Sequence, residues 1–334
     1  MSVLVKKNTQ CLLSIREATI STRLPNPRIS RSATLKLLIL ISLVVAFSQI
    51  TLGGIVRASE SGLGCPDWPL CHGELIPPCE FHTLVEYSHR LTGTVLGILV
   101  IITLWVAALE RKRDSVSFRL CLGSLFLVIA AGLLGGLTVL TELAWWLRLI
   151  HLSIAQFLIA SLLILVCIAF KNKICQCEVS ITIDMGSAGK LVTALILVFL
   201  LMLSGSYMIG IGASSACSTW PLCRGELFPD GFEYVIHMLH RYVAAIVTVY
   251  IGITAIQFIR KRRDNAAIRK AAHTTLGLIT LQILLGAVMI WTGFDAHLKA
   301  VHLSVATLVW MATVLLAVVT TFIFEERSTS TNQI

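Results

Sequence analysis

Four histidines stand inside otherwise apolar stretches: His89, His151, His240 and His302. The first two are 62 residues apart, and so are the last two. Polar groups at that depth are costly in hydrocarbon and face a bundle interior. Two imidazoles brought to one level from opposing helices suit axial ligation of a haem iron. A small metal ion would need a third or fourth ligand nearby, and no Asp or further Cys stands at matching depth in both halves. Arg90 and Arg241 follow the first histidine of each pair, and Arg57 closes the first apolar stretch. Each guanidinium is a candidate partner for haem propionates. Glu86 lies three residues before His89 on the same helical face, where the second half has His237. Such a carboxylate can move protons or stabilise developing positive charge. It can equally be structural, paired with Arg90 or Arg57. The asymmetry suggests chemistry in the first half and a permanent cofactor in the second.

The chain has ten cysteines. Cys65 and Cys71 bracket Trp68-Pro69, and Cys217 and Cys223 bracket Trp220-Pro221. In an oxidising outer compartment each pair is expected to form a disulfide, Cys65–Cys71 and Cys217–Cys223. A zinc site from Cys65, Cys71, Cys79 and either His72 or His82 is one alternative. A redox-active pair is another. Cys175 and Cys177 fall on the reducing side and read as free thiols, while Cys11, Cys121 and Cys167 belong to no constellation.

The elements that must position these groups follow from composition. Apolar residues make up 56% of the 334 and charged residues 13%, with mean hydropathy +0.84. Soluble domains carry about 45–50% and about 25%. A soluble globular protein, a disordered chain and a disulfide-rich secreted module are excluded. Eight stretches are long enough to span a bilayer: 35–56, 85–109, 118–141, 147–170, 190–211, 234–259, 272–293 and 299–323. Of 27 Lys and Arg, all but Arg57, Arg90, Arg148, Arg224, Arg241 and Lys299 fall in the tails, at the mouth of the first span, or in the loops after spans two, four and six. The positive-inside rule makes that face cytoplasmic, with both termini on it. The net charge of +9 is therefore a topology signal and not a nucleic-acid footprint. Residues 1–34 form a basic segment whose Ser/Thr-rich, acid-poor composition fits a cytoplasmic tail or a transit peptide.

The two halves repeat. The run Cys65 to Leu75 aligns with Cys217 to Leu227 at an offset of 152. His89-Arg90 aligns with His240-Arg241, Leu133-Leu134-Gly135 with Leu284-Leu285-Gly286, and His151-Leu152-Ser153 with His302-Leu303-Ser304, all at 151. This is a duplicated four-helix unit. Four spans per unit make the copies parallel, related by an axis along the membrane normal. The expected fold is an all-α polytopic membrane protein, eight transmembrane helices as two parallel-repeat four-helix bundles. Its divisions are a cytoplasmic tail (1–34), an N-terminal half (35–171), a cytoplasmic linker (172–189), a C-terminal half (190–324) and a second tail (325–334).

Gly53-Gly-Ile-Val-Arg57, Ser61-Gly-Leu-Gly-Cys-Pro-Asp-Trp-Pro-Leu-Cys71, Glu86-Tyr-Ser-His-Arg-Leu-Thr-Gly93 and the four spaced histidines together resemble the haem A synthase family. The resemblance covers nearly everything after the N-terminal tail. It implies a haem B cofactor on His240 and His302. It also implies haem O as substrate in the N-terminal half, at His89 and His151, with Glu86 as the catalytic acidic residue. The implied reaction oxidises the C8 methyl of haem O to a formyl group through a hydroxymethyl intermediate, giving haem A for terminal oxidases. Implied partners are the lipid bilayer, a haem O synthase, an electron donor and a second copy in a homo-oligomer, with no nucleic acid. The outer cysteine pairs resemble those of bacterial members, which implies a bacterial plasma membrane. A di-haem b-type electron-transfer protein and a haem transporter are the competing readings. The first would place haems on opposite sides of the membrane, whereas all four histidines here are near one face.

Overall fold

The computed structural model describes residues 27–112, 114–170, 178–179, 185–321 and 324–325. Eight helices carry the chain: α1 (Pro27–Ala58), α2 (Phe81–Leu109), α3 (Ser115–Leu140), α4 (Trp145–Ala169), α5 (Met185–Gly210), α6 (Phe232–Lys261), α7 (Ala266–Trp291) and α8 (Ala296–Thr321). All eight are long and apolar enough to cross a bilayer. A two-residue antiparallel ladder pairs Glu178 with Glu325 and Val179 with Phe324. Large apolar side chains such as Trp105, Phe126, Leu133, Ile246 and Leu284 are exposed along the helices. In water that surface would be an aggregation liability; in a bilayer it is the lipid face.

Two helix starts differ from the hydropathy reading. Helix α1 begins at Pro27 rather than 35, and α5 at Met185 rather than 190, inside the expected linker. The bilayer limits the apolar length of a helix and not its total length, so polar flanking turns leave no hydropathy signal. Proline at the first helical position costs no hydrogen bond. Elsewhere the caps repeat with the sequence. Asp114 accepts from Ser117 N–H at the start of α3, and Asn265, 151 residues on, accepts from Ile268 N–H at the start of α7.

Neighbour relations divide the helices into two closed rings. In the first, α1 packs on α2, α2 on α3, α3 on α4 and α4 back on α1; in the second, α5 to α8 do the same. The rings meet through α1–α8, α4–α5 and α4–α8. Under the repeat, α1 maps to α5 and α4 to α8, so the first two contacts exchange and the third maps onto itself. That is the signature of a pseudo-two-fold axis between α4 and α8. On it, Gln156 Nε2 donates to Thr307 Oγ1 at 3.1 Å, and these two residues are 151 apart. Equivalent positions can touch only at the axis. Trp310 Nε1 donates to Gln156 O at 2.9 Å beside them. One apolar core, including Ile39, Leu43, Val100, Leu162, Val247 and Val309, runs through both rings.

Candidate haem-ligating site

Alternating directions bring the start of α2, the start of α4 and both cysteine loops to one end of the bundle. His89 lies eight residues into α2 and His151 six into α4, depths of about 12 and about 9 Å at 1.5 Å per residue. His240 in α6 and His302 in α8 repeat those depths. His89 and His151 thus stand at one end of the first ring, and His240 and His302 at the same end of the second.

Each imidazole rests against a glycine of the preceding helix. A Cβ added at Gly53 would come within 3.0 Å of His89 Cε1, and one at Gly205 within 3.1 Å of His240 Cε1. At Gly135 and Gly286 the distances to His151 and His302 are 3.3 and 3.4 Å. A missing side chain thus makes room for each ring.

The hydrogen bonds assign the ring protons. His151 Nδ1 is 2.9 Å from Ala131 O, and a carbonyl only accepts, so Nδ1 carries the hydrogen and Nε2 the lone pair. Ser204 spends its hydroxyl hydrogen on Leu201 O at 2.7 Å, so it accepts from His240 Nδ1 at 2.7 Å. The Gln49 amide nitrogen, a donor only, is 3.4 Å from His89 Nε2, and that of Gln282 is 3.0 Å from His302 Nε2. All four Nε2 atoms therefore bear lone pairs, as metal ligation requires. His89 Nδ1, His302 Nδ1, Gln49 Oε1 and Gln282 Oε1 are buried with no partner. Each half has one backbone- or serine-anchored ring and one glutamine-held ring, on opposite helices. These residues fit bis-imidazole ligation of a haem in either half.

At the loop end, Cys65–Cys71 and Cys217–Cys223 are disulfides with all four residues buried. The zinc alternative is thereby removed, since its thiolates are spent. Cys79 is an exposed free thiol and Cys121 and Cys167 are buried ones; Cys11, Cys175 and Cys177 lie outside the described residues. Both Trp-Pro bonds, Trp68–Pro69 and Trp220–Pro221, are cis.

Arg90 uses all five N–H donors on this loop: Nε and Nη2 to Glu86 Oε1, Nη2 to Cys65 O, and Nη1 to Asp67 O and Leu70 O. Arg241 spends its Nη1 and Nη2 donors likewise on Cys217 O, Thr219 O, Pro221 O, Leu222 O and His237 Nε2. In both halves the loop carbonyls take most of these donors. Glu86 is buried, with Oε1 on Arg90 at 2.6 Å and Oε2 accepting from Cys65 N–H at 2.9 Å. Neutral His237 fills the same position in the second half, with Nδ1 3.1 Å from Ala213 O. Arg57, by contrast, makes one contact, Nη2 to Ser206 O at 3.5 Å, and its Nε is buried and unpartnered.

Sequence reasoning missed Gln49, Ser204, Gln282 and Arg148. The usable signal was a polar side chain inside a span, within one turn of a glycine or histidine already singled out.

Two four-helix rings, each with a pair of lone-pair-bearing imidazoles, define a duplicated class of polytopic membrane protein. The family profile described as cytochrome oxidase assembly protein matches residues 36–314, and the chain belongs to that family. It is similar to the protein named heme A synthase of an Exiguobacterium species, 29% identical over 256 residues, which are 76% of this chain and 82% of that one. The heme A synthase of Geobacillus kaustophilus is 27% identical over 75% of this chain and 80% of its own. That of Staphylococcus saprophyticus is 28% identical over 81% and 90%.

Proposed function

We propose that the chain is a haem A synthase that oxidises the C8 methyl of haem O to a formyl group. The observation that carries this reading is the repeated histidine seat with one charged difference, Glu86 against His237. The relatives' names support it. His240 and His302 hold haem B, which supplies a one-electron redox centre when bound. His89 and His151 take the iron of the substrate haem O. Ala131 O and Ser204 fix the tautomers of His151 and His240. Gln49 and Gln282 hold the other two rings until ligation. Glu86, one turn from His89 toward the cysteine loops, would relay protons to the reacting methyl, since each hydroxylation of a C–H bond by dioxygen takes two electrons from the donor and two protons and leaves one water. Arg90 keeps that carboxylate oriented. The stapled loop covers this end of the site and limits water. The cysteine loops face outward from a bacterial plasma membrane, with both termini cytoplasmic. A haem O synthase, an electron donor and a second copy of the chain are its partners, and terminal oxidases take the product.

Expression together with a haem O producer, followed by extraction and chromatography of the haems, tests the reading. Haem A is the expected product, and haem O alone overturns it. The electron-transfer alternative is disfavoured by the common depth of all four histidines at one end.

A further inference from the structure

The two seams where the halves meet are not alike, although the axis relates them. At the α8–α1 seam, Gly54 packs on Leu303 at 3.2 Å and on Ala300, and Ser304 bonds Thr51. At the α4–α5 seam, Trp145 packs against Gly210 and Tyr207, and two arginines stand beside them, Arg57 from α1 and Arg148 from α4. Arg57 Nη2 donates to Ser206 O of α5 at 3.5 Å, and α1 packs on α4, the helix of Arg148, so both side chains stand at this end of the first ring. Both have a buried, unpartnered Nε. Among the described residues the sole ion pair is Glu86–Arg90, so neither meets an acid. Two partly buried like charges repel, and an anion between them converts the repulsion into attraction.

Their height identifies the anion. Arg57 is four residues beyond Gly53, the seat of His89, toward the loop end. Arg148 is three residues before His151, also toward the loop end. Each is one helical turn, about 5 Å, above the imidazole level, on the same face as the ligand or its seat. At the equivalent positions the C-terminal half has Ile209 and the exposed Lys299. The doubled charge belongs to the N-terminal site alone.

We propose that Arg57 and Arg148 are positioning residues that clamp the two propionates of the tetrapyrrole bound between His89 and His151. This deepens the haem A synthase reading and rests on it. Propionates leave adjacent pyrroles along one edge of the macrocycle, and paired guanidiniums suit paired carboxylates. The C8 methyl shares a pyrrole with one propionate. Holding that edge toward the loops brings the C8 methyl to the level of Glu86, also one turn above the imidazoles. The C5 methyl flanks the other propionate, so the clamp narrows oxidation to two methyls. The substrate's long tail then distinguishes them.

The test uses the purified full chain carrying its C-terminal haem, titrated with iron protoporphyrin IX and with its dimethyl ester. Absorbance of the new bis-imidazole species is the readout, and a His89→Ala variant identifies the N-terminal site. The wild-type protein should prefer the diacid at least tenfold. Arg57→Gln and Arg148→Gln should each reduce that preference and together erase it, with ester affinity unchanged. Lysine at both positions should restore part of it. The spectrum of the C-terminal haem reports folding, and the single variants serve if the double variant loses it. An undiminished diacid preference in the variants overturns the clamp. So does loss of co-purifying phosphatidylglycerol with the preference intact, which would assign the arginines to a lipid phosphate. If the wild-type protein makes no haem A but its diacid preference depends on both arginines, the reaction is wrong and the clamp stands. If haem A forms and the arginines do not matter to binding, the clamp alone fails.

Discussion

Each imidazole seat depends on a side chain that is absent. Gly205→Ala places a methyl 3.1 Å from His240 Cε1, and the ring must give by a few tenths of an ångström. Alanine in a helix interior is otherwise stabilising by about 0.5–1 kcal/mol over glycine. We therefore expect Gly205→Ala to lower bound haem B about tenfold without unfolding the protein, measured from the pyridine haemochrome per mole of chain. Gly252→Ala, whose added methyl meets nothing within 4 Å, should leave it unchanged. Glu86→Gln keeps an acceptor for Cys65 N–H but removes the charge opposite Arg90. Haem A formation should fall by about 100-fold or more, the range for lost proton transfer, while haem B in the C-terminal half stays. Retained haem A would reduce Glu86 to a loop anchor. The four histidines were legible because their spacing repeats and hydrocarbon makes polarity expensive. Their partners Gln49, Ser204 and Gln282 were not, since they break the repeat: the position of Gln282 is Ala131 in the first half, where a main-chain carbonyl does the work.

At the scale of elements, the two loops share a plan and differ in one titrating group. The Asp67 carboxylate accepts from Gly73 N–H at 2.8 Å and His72 N–H at 2.6 Å, which holds its pKa below the usual carboxylate value. A carboxylate depressed on folding contributes stability that is present above its unfolded pKa and lost as pH falls through the folded one. In the second loop Thr219 Oγ1 accepts from Arg224 N–H and does not titrate. Below about pH 4, reductant should reach Cys65–Cys71 before Cys217–Cys223, as read by mass spectrometry of alkylated peptides. At neutral pH both should resist, because all four cysteines are buried. Equal rates at low pH would remove Asp67 from the account. The disulfides could be anticipated from matched spacing. The exhaustion of Arg90 on carbonyls could not, since main-chain acceptors leave no trace in residue type.

For the whole molecule, hydropathy and the 151-residue offset announced eight spans and a parallel duplication. They did not announce which helices meet across the middle, because a lipid-facing and a protein-facing apolar stripe look alike in sequence. Nor did they announce that α4 closes back on α1, which is what brings Arg57 and Arg148 to one end of the first ring. In the proposed topology the cysteine loops lie outside. A membrane-impermeant maleimide added to intact cells should therefore label Cys79, which is exposed, and spare Cys175 and Cys177. Mass spectrometry of the modified peptides reads the result. Labelling of Cys177 with Cys79 spared would invert the topology.

The bond between Gln156 and Thr307 bears on ancestry. In a dimer of identical four-helix chains, whatever residue occupied that position would face a copy of itself, glutamine on glutamine or threonine on threonine. A donor amide opposite an acceptor hydroxyl is available only once there are two copies of the sequence that can each change alone. The same freedom lets one half keep a carboxylate where the other keeps an imidazole. Under the proposed function, that independence is what would let one half specialise in substrate chemistry and the other in holding a cofactor.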